Sequence, residues 1–275
     1  MDRSTPQTTH TTPAQALGDV VCGVDGGRRD TVAVEQALRL ADGSTLTFVA
    51  VAHVVGKGPN AQAAMGDVRA EHTLDRATRM AHEHGVQAES RLVHGADAAE
   101  ALMREADGAG VLVVGAPLHG RIGGIAEGAT SARLAHRATL PVLIAREAKD
   151  AAPFPQRVLL ATDGSTGSHR AAELTVAIAA AHGAEVTMVH AGDSSDAERR
   201  RMVEQAARVS DVTRVEPVWL EPGKHPVDGI CHCATWSKAS LVVVGARGVG
   251  GVRALGSVSE RVAHEAPCSV LIARG

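Results

Sequence analysis

Short apolar runs alternate with amphipathic stretches along this chain, and the whole alternation occurs twice. Residues 20–24 and 45–55 read as buried strands, and between them residues 31–41 place Val34, Ala37, Leu38 and Ala41 at helical spacing. A longer helix over 61–84 stops at Gly85, a residue suited to the left-handed turn that ends helices. A strand at 87–92, a helix at 98–107, a strand at 111–114, a helix after Gly128 and a last strand at 142–145 complete the first half. The second half repeats the order, with a shorter second helix over 196–209. Strands that are apolar throughout and alternate with helices predict an α/β fold: a parallel sheet covered on both faces, with right-handed crossovers.

The repetition is literal in places. RLAHRATLPVLIAR (133–146) overlays RVAHEAPCSVLIAR (261–274) without a gap, VVCGVDGG (20–27) parallels VLLATDGS (158–165), and VLVVGAPLHG (111–120) parallels LVVVGARGVG (241–250). A duplicated domain follows. Residues 1–17 read as a disordered tail, 18–146 as domain 1, 147–156 (with charges and two prolines) as a linker, and 157–275 as domain 2. The expected architecture is two tandem Rossmann-like domains, each a five-stranded parallel sheet of order 3-2-1-4-5.

Composition narrows the function. Aromatics make up only 1% of a chain that is 44% hydrophobic, so nothing offers the stacking platform that single-stranded nucleic acid needs. A net charge of −3 with interspersed signs gives no continuous basic surface, and nucleic acid is not expected as a partner. No apolar run is long enough to span a membrane, the polar, Thr-rich start lacks a signal's apolar middle, and four scattered cysteines suit a reducing interior. A cytoplasmic location is the expectation.

In open parallel sheets ligands settle beyond the carboxyl ends of the strands where the order reverses. That point brings Asp25, at the end of strand one, towards Gly115, and in domain 2 Asp163 towards Val244 and Gly245. The segment from Gly245 through Gly248 to Gly256 and Ser257 is a Gly-rich turn running into a helix, where backbone amides and the helix dipole favour an anion. The Asp163 carboxylate would repel phosphate but accept from ribose hydroxyls or an adenine amine. Phosphate pocket and carboxylate together suggest a nucleotide. A tight-turn role for the glycines is the alternative.

These motifs resemble the universal stress protein family in its tandem two-domain form: Asp-Gly-Ser after strand one, Gly-x2-Gly-x9-Gly-Ser/Thr after strand four, and a closing Pro-Val-Leu-like strand. The resemblance implies Rossmann-like domains, dimerisation through the last strand, and in one branch ATP binding. Carried over to this chain, it implicates Asp163, Gly164, Ser165, Ala191, Val244, Gly245, Gly248, Gly256 and Ser257 in domain 2, and Asp25, Val54, Gly115 and Gly128 in domain 1. Ala191 and Val54, after strand two, would flank adenine or simply pack. Asp163 would bind ligand or form a turn or helix cap, and Ser257 would contact phosphate or cap its helix.

Both halves depart from the pattern. Seven residues separate Gly248 from Gly256 where the family has nine. In domain 1 the spacing to Gly128 is intact, but Leu118 stands in for the second glycine, Ala129 for the hydroxyl residue and Gly27 for the serine. A lost hydroxyl bond costs about 1 kcal/mol and a Cβ at positive φ about 1–2 kcal/mol, together about thirty-fold or more in affinity. Domain 2 is therefore the expected site, for ATP, ADP or AMP with or without magnesium, in a sensor or regulator of the stress response. The alternative is a ligand-free interaction or scaffold protein. Catalysis beyond slow, incidental hydrolysis is not expected, since no Gly-Lys-Ser/Thr pair occurs and only Arg247 and Arg253 attend the second Gly cluster.

Cys231 and Cys233 lie two apart on an expected helix and point to different sides, which argues against a zinc site with His225 or His232. His136 and His264 occupy equivalent places and suggest a shared packing or capping role, while His82 and His84 sit at a helix's negative end. The last strands, 142–146 and 270–274, are apolar edges that can satisfy each other. An intramolecular pseudo-dimer is expected, with homodimerisation as a further possibility.

Overall fold

The apolar runs fold as strands of one sheet. A computed structural model of the chain describes residues 17–27, 29–41, 43–52, 61–116, 129–148, 150–190, 196–220, 225–246 and 255–274. The first half runs β1 (Val20–Val24), α1 (Asp30–Leu40), β2 (Leu46–Ala52), α2 (Ala61–Glu83), β3 (Ala88–His94), α3 (Ala98–Glu105), β4 (Val111–Gly115), α4 (Ala129–Arg137) and β5 (Val142–Ala145). The second runs β6 (Arg157–Thr162), α5 (Thr166–His182), β7 (Glu185–His190), α6 (Asp196–Ser210), β8 (Val215–Trp219), α7 (Pro226–Trp236), β9 (Leu241–Gly245), α8 (Ser257–Glu265) and β10 (Ser269–Ala273). Gly85 takes φ +70 just past α2, and His84 Nδ1 lies 2.8 Å from the Met80 carbonyl, so the helix stops and caps as its residues suggest.

The ten strands form a single sheet of order β3-β2-β1-β4-β5-β10-β9-β6-β7-β8. Each half has the order 3-2-1-4-5, parallel within itself. The central strands bury both faces: α1, α2, α5 and α6 cover one, and α3, α4, α7 and α8 the other. Only the outer strands are wet. β3 carries Glu89 and Arg91, joined at 3.0 Å, and β8 has Pro217 in its middle, so both edges resist pairing with another chain.

The halves join where β10 pairs antiparallel with β5: Val270 with Ile144, Leu271 with Leu143, Ile272 with Val142. Leu143 and Leu271 hold the same place in the two repeats, so the pairing has the self-complementary form of a twofold interface. The polar contacts obey the same symmetry. Arg146 Nη2 donates to the Ala263 carbonyl in the last turns of α8, and Arg274 Nη2 donates to the equivalent Ala135 carbonyl in α4. Each guanidinium thus lies at the negative end of the other half's helix. Burial lowers Arg146 to about 10, which leaves it charged at neutral pH. Ser269, where the first repeat has Pro141, accepts from the Arg146 amide at 3.0 Å and donates to Gln36 Oε1 at 2.8 Å. His136 of α4 and Glu260 of α8 meet across the same seam at 3.1 Å; the residue equivalent to Glu260 in the first half is Ala132, so His264 has no matching acid there.

The segment expected as a linker is bound to the second half. Ala152 donates to the Lys238 carbonyl at 3.0 Å, Gln156 accepts from the Glu185 amide at 2.9 Å, and Phe154 packs on the core.

The glycines ending the fourth strand of each half have a packing reason. A Cβ on Gly245 would lie 2.6 Å from the Gly167 carbonyl oxygen, and one on Gly115 would lie 3.0 Å from that of Arg29 and 2.9 Å from the Arg29 Cβ. The start of the helix after strand one backs onto strand four at that point, and only hydrogen fits between.

Two outcomes follow from this packing. Arg146→Ala and Arg274→Ala each remove a charged donor from a helix carbonyl, and Arg146→Ala lowers the unfolding free energy by about 2–3 kcal/mol, read as a lower urea midpoint. Unchanged midpoints in both variants would take the guanidiniums out of the interface. Gly245→Ala overpacks the contact with Gly167 and costs about 1–3 kcal/mol in the same assay, whereas full stability in that variant would show that the close approach does not constrain the position.

Candidate functional site

In the second half the chain leaves β6 through a sharp turn at Asp163-Gly164-Ser165. Gly164 takes φ +71, where a Cβ would be strained. Asp163 Oδ1 accepts from the Ser165 amide at 2.9 Å, and Ser165 Oγ caps α5 by accepting from the Ser168 amide at 3.3 Å. Asp163 therefore makes the turn, and Ser165, not Asp163, is the helix cap. The Gly164 amide donates to Thr162 Oγ1 at 3.1 Å, Thr162 donates to Gln205 Oε1 at 2.7 Å, and Gln205 Nε2 donates to Ser168 Oγ at 3.3 Å. Arg201 Nε adds a 2.6 Å bond to the Gly164 carbonyl. Through Arg201 and Gln205, one turn apart, α6 holds the turn in place.

Sequence reasoning passed over Thr162, Gln205 and Arg201. The signal was present as polar residues at i and i+4 on an otherwise apolar-striped helix, but nothing local says which partner they meet.

In the first half Val24 replaces Thr162 and Gly27 replaces Ser165, so neither hydroxyl is available. Asp30, the first residue of α1, takes over. Its carboxylate accepts from the Gly26 amide at 2.6 Å and from the Asp25 amide at 3.1 and 3.2 Å. Asp25 Oδ1 accepts from the Gly27 amide at 2.7 Å, the counterpart of the Asp163 turn. Burial, followed by the neighbouring Asp25 carboxylate, raises Asp30 to about 6, although the two amide bonds pull the other way. The residue equivalent to Asp30 is Ser168. The two turns share a backbone course and differ in where their amides find acceptors.

The second component of the site lies one strand away. β6 and β9 are neighbours, with Ala161 level with Val244, so Thr162 comes level with Gly245 and Asp163 leaves the carboxyl edge one residue beyond it, level with Ala246. β1 and β4 repeat this with Gly23 level with Val114. Beyond β9 the chain returns at Leu255 and Gly256; the Gly256 amide donates to the Ala246 carbonyl at 2.8 Å, and Ser259 Oγ donates to the Gly245 carbonyl at 2.6 Å. These bonds fix the N-terminus of α8 to the carboxyl end of β9, the strand beside β6. Gly256 is the N-cap of α8 and brings no side-chain cap, and Ser257 is the first helical residue. Of the two roles expected of Ser257, phosphate contact or helix cap, the cap is corrected: its place is inside the first turn, and the cap position is a glycine with no side chain to satisfy the leading amides.

Asp163, Gly164, Ser165, Val244, Gly245, Gly256 and Ser257 thus gather at one edge of the sheet. Val54, Leu118, Gly128, Ala191, Arg247, Gly248 and Arg253 lie outside the described residues. Ala191 follows His190, which is level with Thr162; in the first half Ala50 is level with Val24, so the residue in the place of Ala191 is Val51 and not Val54.

At the same edge, His190 Nδ1 lies 3.0 Å from the Thr162 carbonyl, its buried Nε2 has no hydrogen-bond partner among the described residues, and its ring meets half-exposed Trp219 edge-on at 5.6 Å. Both rings belong to the face covered by α5 and α6, since they continue the alternation of Val186 and Met188, whereas Asp163 continues the opposite alternation of Leu159 and Ala161. They support the turn from below.

Among the described residues no group of three or more His, Cys, Asp or Glu is arranged to hold a metal, and no helix is long and apolar enough to cross a membrane. His225 caps α7 through the Val227 amide. Burial pushes the thiols up, Cys231 to about 11 and Cys268 to about 12, so neither is a thiolate at neutral pH.

The universal stress protein family model matches residues 17–146, 155–218 and 204–274. A universal stress protein of Thermus aquaticus is 36% identical over 135 residues, 42% of this chain and 97% of that protein. One of Mycobacterium tuberculosis is 28% identical over 226 residues, covering 74% of this chain and 75% of its own length. Among solved structures, a universal stress protein of Archaeoglobus fulgidus superposes with a TM-score of 0.74 at 18% identity, over 94% of this chain and 96% of that one. With a tenfold parallel-and-antiparallel sheet built from two copies of the same five-stranded unit, and the family model matched along nearly its entire length, this chain belongs to the universal stress protein family.

Proposed function

We propose that this protein binds an adenine nucleotide (ATP, ADP or AMP, with or without magnesium) in the crevice between β6 and β9 of its second half, and acts in the cytoplasm as a sensor or regulator of the stress response rather than as a catalyst. The observation that carries the reading is that β6, which ends in the Asp163 turn, lies beside β9, whose end holds the start of α8, a helix with a glycine at its cap and no side-chain cap among the described residues. The leading amides of α8 and the helix dipole suit a phosphate, and the second Asp163 oxygen suits a ribose hydroxyl or an adenine amine. Any magnesium would come with the phosphates, because the described residues offer no metal cluster of their own.

A ligand-free scaffold is the second reading. It is favoured by Gly115 and Gly245, whose close contacts with the start of the helix after strand one give them a purpose without any ligand. The antiparallel join already uses both last strands, so any homodimer would need another surface.

Equilibrium dialysis of the full chain against ATP and magnesium separates the readings. The proposal expects one nucleotide per chain and a loss of at least about tenfold in affinity in Asp163→Ala, corresponding to about 1.4 kcal/mol. No binding by the unmodified chain to ATP, ADP or AMP at millimolar concentration would favour the scaffold, and retention of full affinity in Asp163→Ala would remove the carboxylate from the site.

A further inference from the structure

Three arginines follow one another in the first half of α6, Arg199, Arg200 and Arg201, and none has a carboxylate within ion-pair distance among the described residues. For stability alone the placement is unfavourable. Three like charges within one turn repel one another, and they lie towards the helix end that the dipole already makes positive. Arg201 is nonetheless held in place: its Nε donates to the Gly164 carbonyl at 2.6 Å, so the guanidinium lies against the turn that follows β6. That bond uses one of five N–H donors. The planar fork keeps the two terminal nitrogens beside the same turn, on an exposed side chain and without a partner among the described residues.

The first half shows the same place without this charge. From α2, Arg69 lies against the Gly26 turn, its Nε 3.2 Å from where a Cβ of Gly26 would stand, and the hydroxyl of Thr73, four residues on, lies 2.8 Å from the same point. Arg69 and Thr73 thus hold the places of Arg201 and Gln205. Counted back from them, Asp67 stands for Arg199 and Val68 for Arg200. Asp67 is engaged with His94 at 2.9 Å, and Arg69 shares its turn with the carboxylates of Asp25 and Asp30. The three helix positions carry three positive charges in α6, against one positive and one negative charge in α2. Positive charge has gathered on the α6 side of the second turn only.

We propose that Arg201, with Arg199 and Arg200 beside it, is a binding site for a phosphate chain, either the triphosphate of a nucleotide or an inorganic tripolyphosphate. Arg201 is the contacting residue. Its terminal nitrogens donate to two oxygens of one phosphate in the parallel pairing that guanidinium and phosphate share, while Nε stays on the Gly164 carbonyl. Arg199 and Arg200 offset the remaining negative charge through space. Several successive cations match a ligand with several negative charges better than they match a monoanion. The site deepens the nucleotide reading by supplying positive charge beside Asp163, and only the ATP arm of its test rests on that reading.

Isothermal titration calorimetry of the full chain with sodium tripolyphosphate, at low and at physiological salt, tests the site without any nucleobase. One tripolyphosphate per chain is expected, with an affinity that falls as salt rises. Arg201→Gln is expected to weaken binding at least about tenfold and to flatten the salt dependence, which a residue that only held the turn would leave unchanged. The double variant Arg199→Gln with Arg200→Gln breaks no contact among the described residues and is expected to weaken binding with an unaltered thermal midpoint, so it decides the matter if Arg201→Gln fails to fold. Arg69→Gln is expected to bind as the unmodified chain does. Absence of tripolyphosphate binding, full affinity in either the Arg201 or the double variant, or an equal loss in Arg69→Gln would overturn the site. A parallel titration with ATP separates it from the nucleotide reading. Tripolyphosphate bound and ATP refused would sink that reading alone, whereas ATP bound at full affinity by Arg201→Gln would sink the arginine site alone.

Discussion

The backbone amide of the glycine after the first strand of each half, Gly26 or Gly164, must find an acceptor, and the way each half supplies it shapes the sheet's carboxyl edge. The turn there is tight because the chain reverses from a buried strand into a helix packed against strand four. Amides cornered in such a turn cannot reach bulk water and cannot be left unpaired without a penalty of about 1–3 kcal/mol. The second half answers the Gly164 amide with the neutral hydroxyl of Thr162, braced by Gln205, while Arg201 holds the Gly164 carbonyl. The first half answers with the Asp30 carboxylate. A neutral answer leaves the edge able to meet an anion, and a charged answer occupies it. The duplication therefore produced two similar turns with different electrostatic characters.

The join between the halves keeps those turns in register with everything else. Leu143 against Leu271 sets a twofold pattern that Arg146 and Arg274 repeat at the helix ends. Since strand four of each half is flanked by strand one on one side and by the joining strand on the other, the position of the α8 N-terminus relative to the Asp163 turn depends on the same sheet that closes the interface. Folding, pseudo-dimerisation and site geometry are linked through β9 and β4, where Gly245 and Gly115 allow the helix after strand one to sit close.

Much of this was legible in the sequence, and the reason is periodicity. The all-apolar runs of β1, β4, β9 and β10 read as buried strands, and the repeated closing motif made a join between β5 and β10 an expectation, whose antiparallel sense the structure supplies. The Asp-Gly turns were visible because glycine at positive φ leaves a mark that other residues do not. What the sequence could not reveal was tertiary pairing among polar side chains. Gln205 and Arg201 sit 37 residues or more from their partners, on a helix that the repeat does not preserve, and Asp30 looked like an ordinary acidic residue at a helix start. The capping role of Ser257 failed for a related reason: a one-residue shift in where α8 begins places Gly256 at the cap, and helix boundaries are the least determined part of a periodic pattern.

The central proposal is that the two halves differ in what their edges accept, the second being the one proposed to hold a phosphorylated ligand. Amide hydrogen exchange of the full chain, with and without saturating ATP and magnesium, reads both edges in one experiment. The account predicts slowed exchange at residues 163–165 and 256–259, and unchanged exchange at residues 25–27. Protection confined to 25–27, or no protection at either edge, would contradict it.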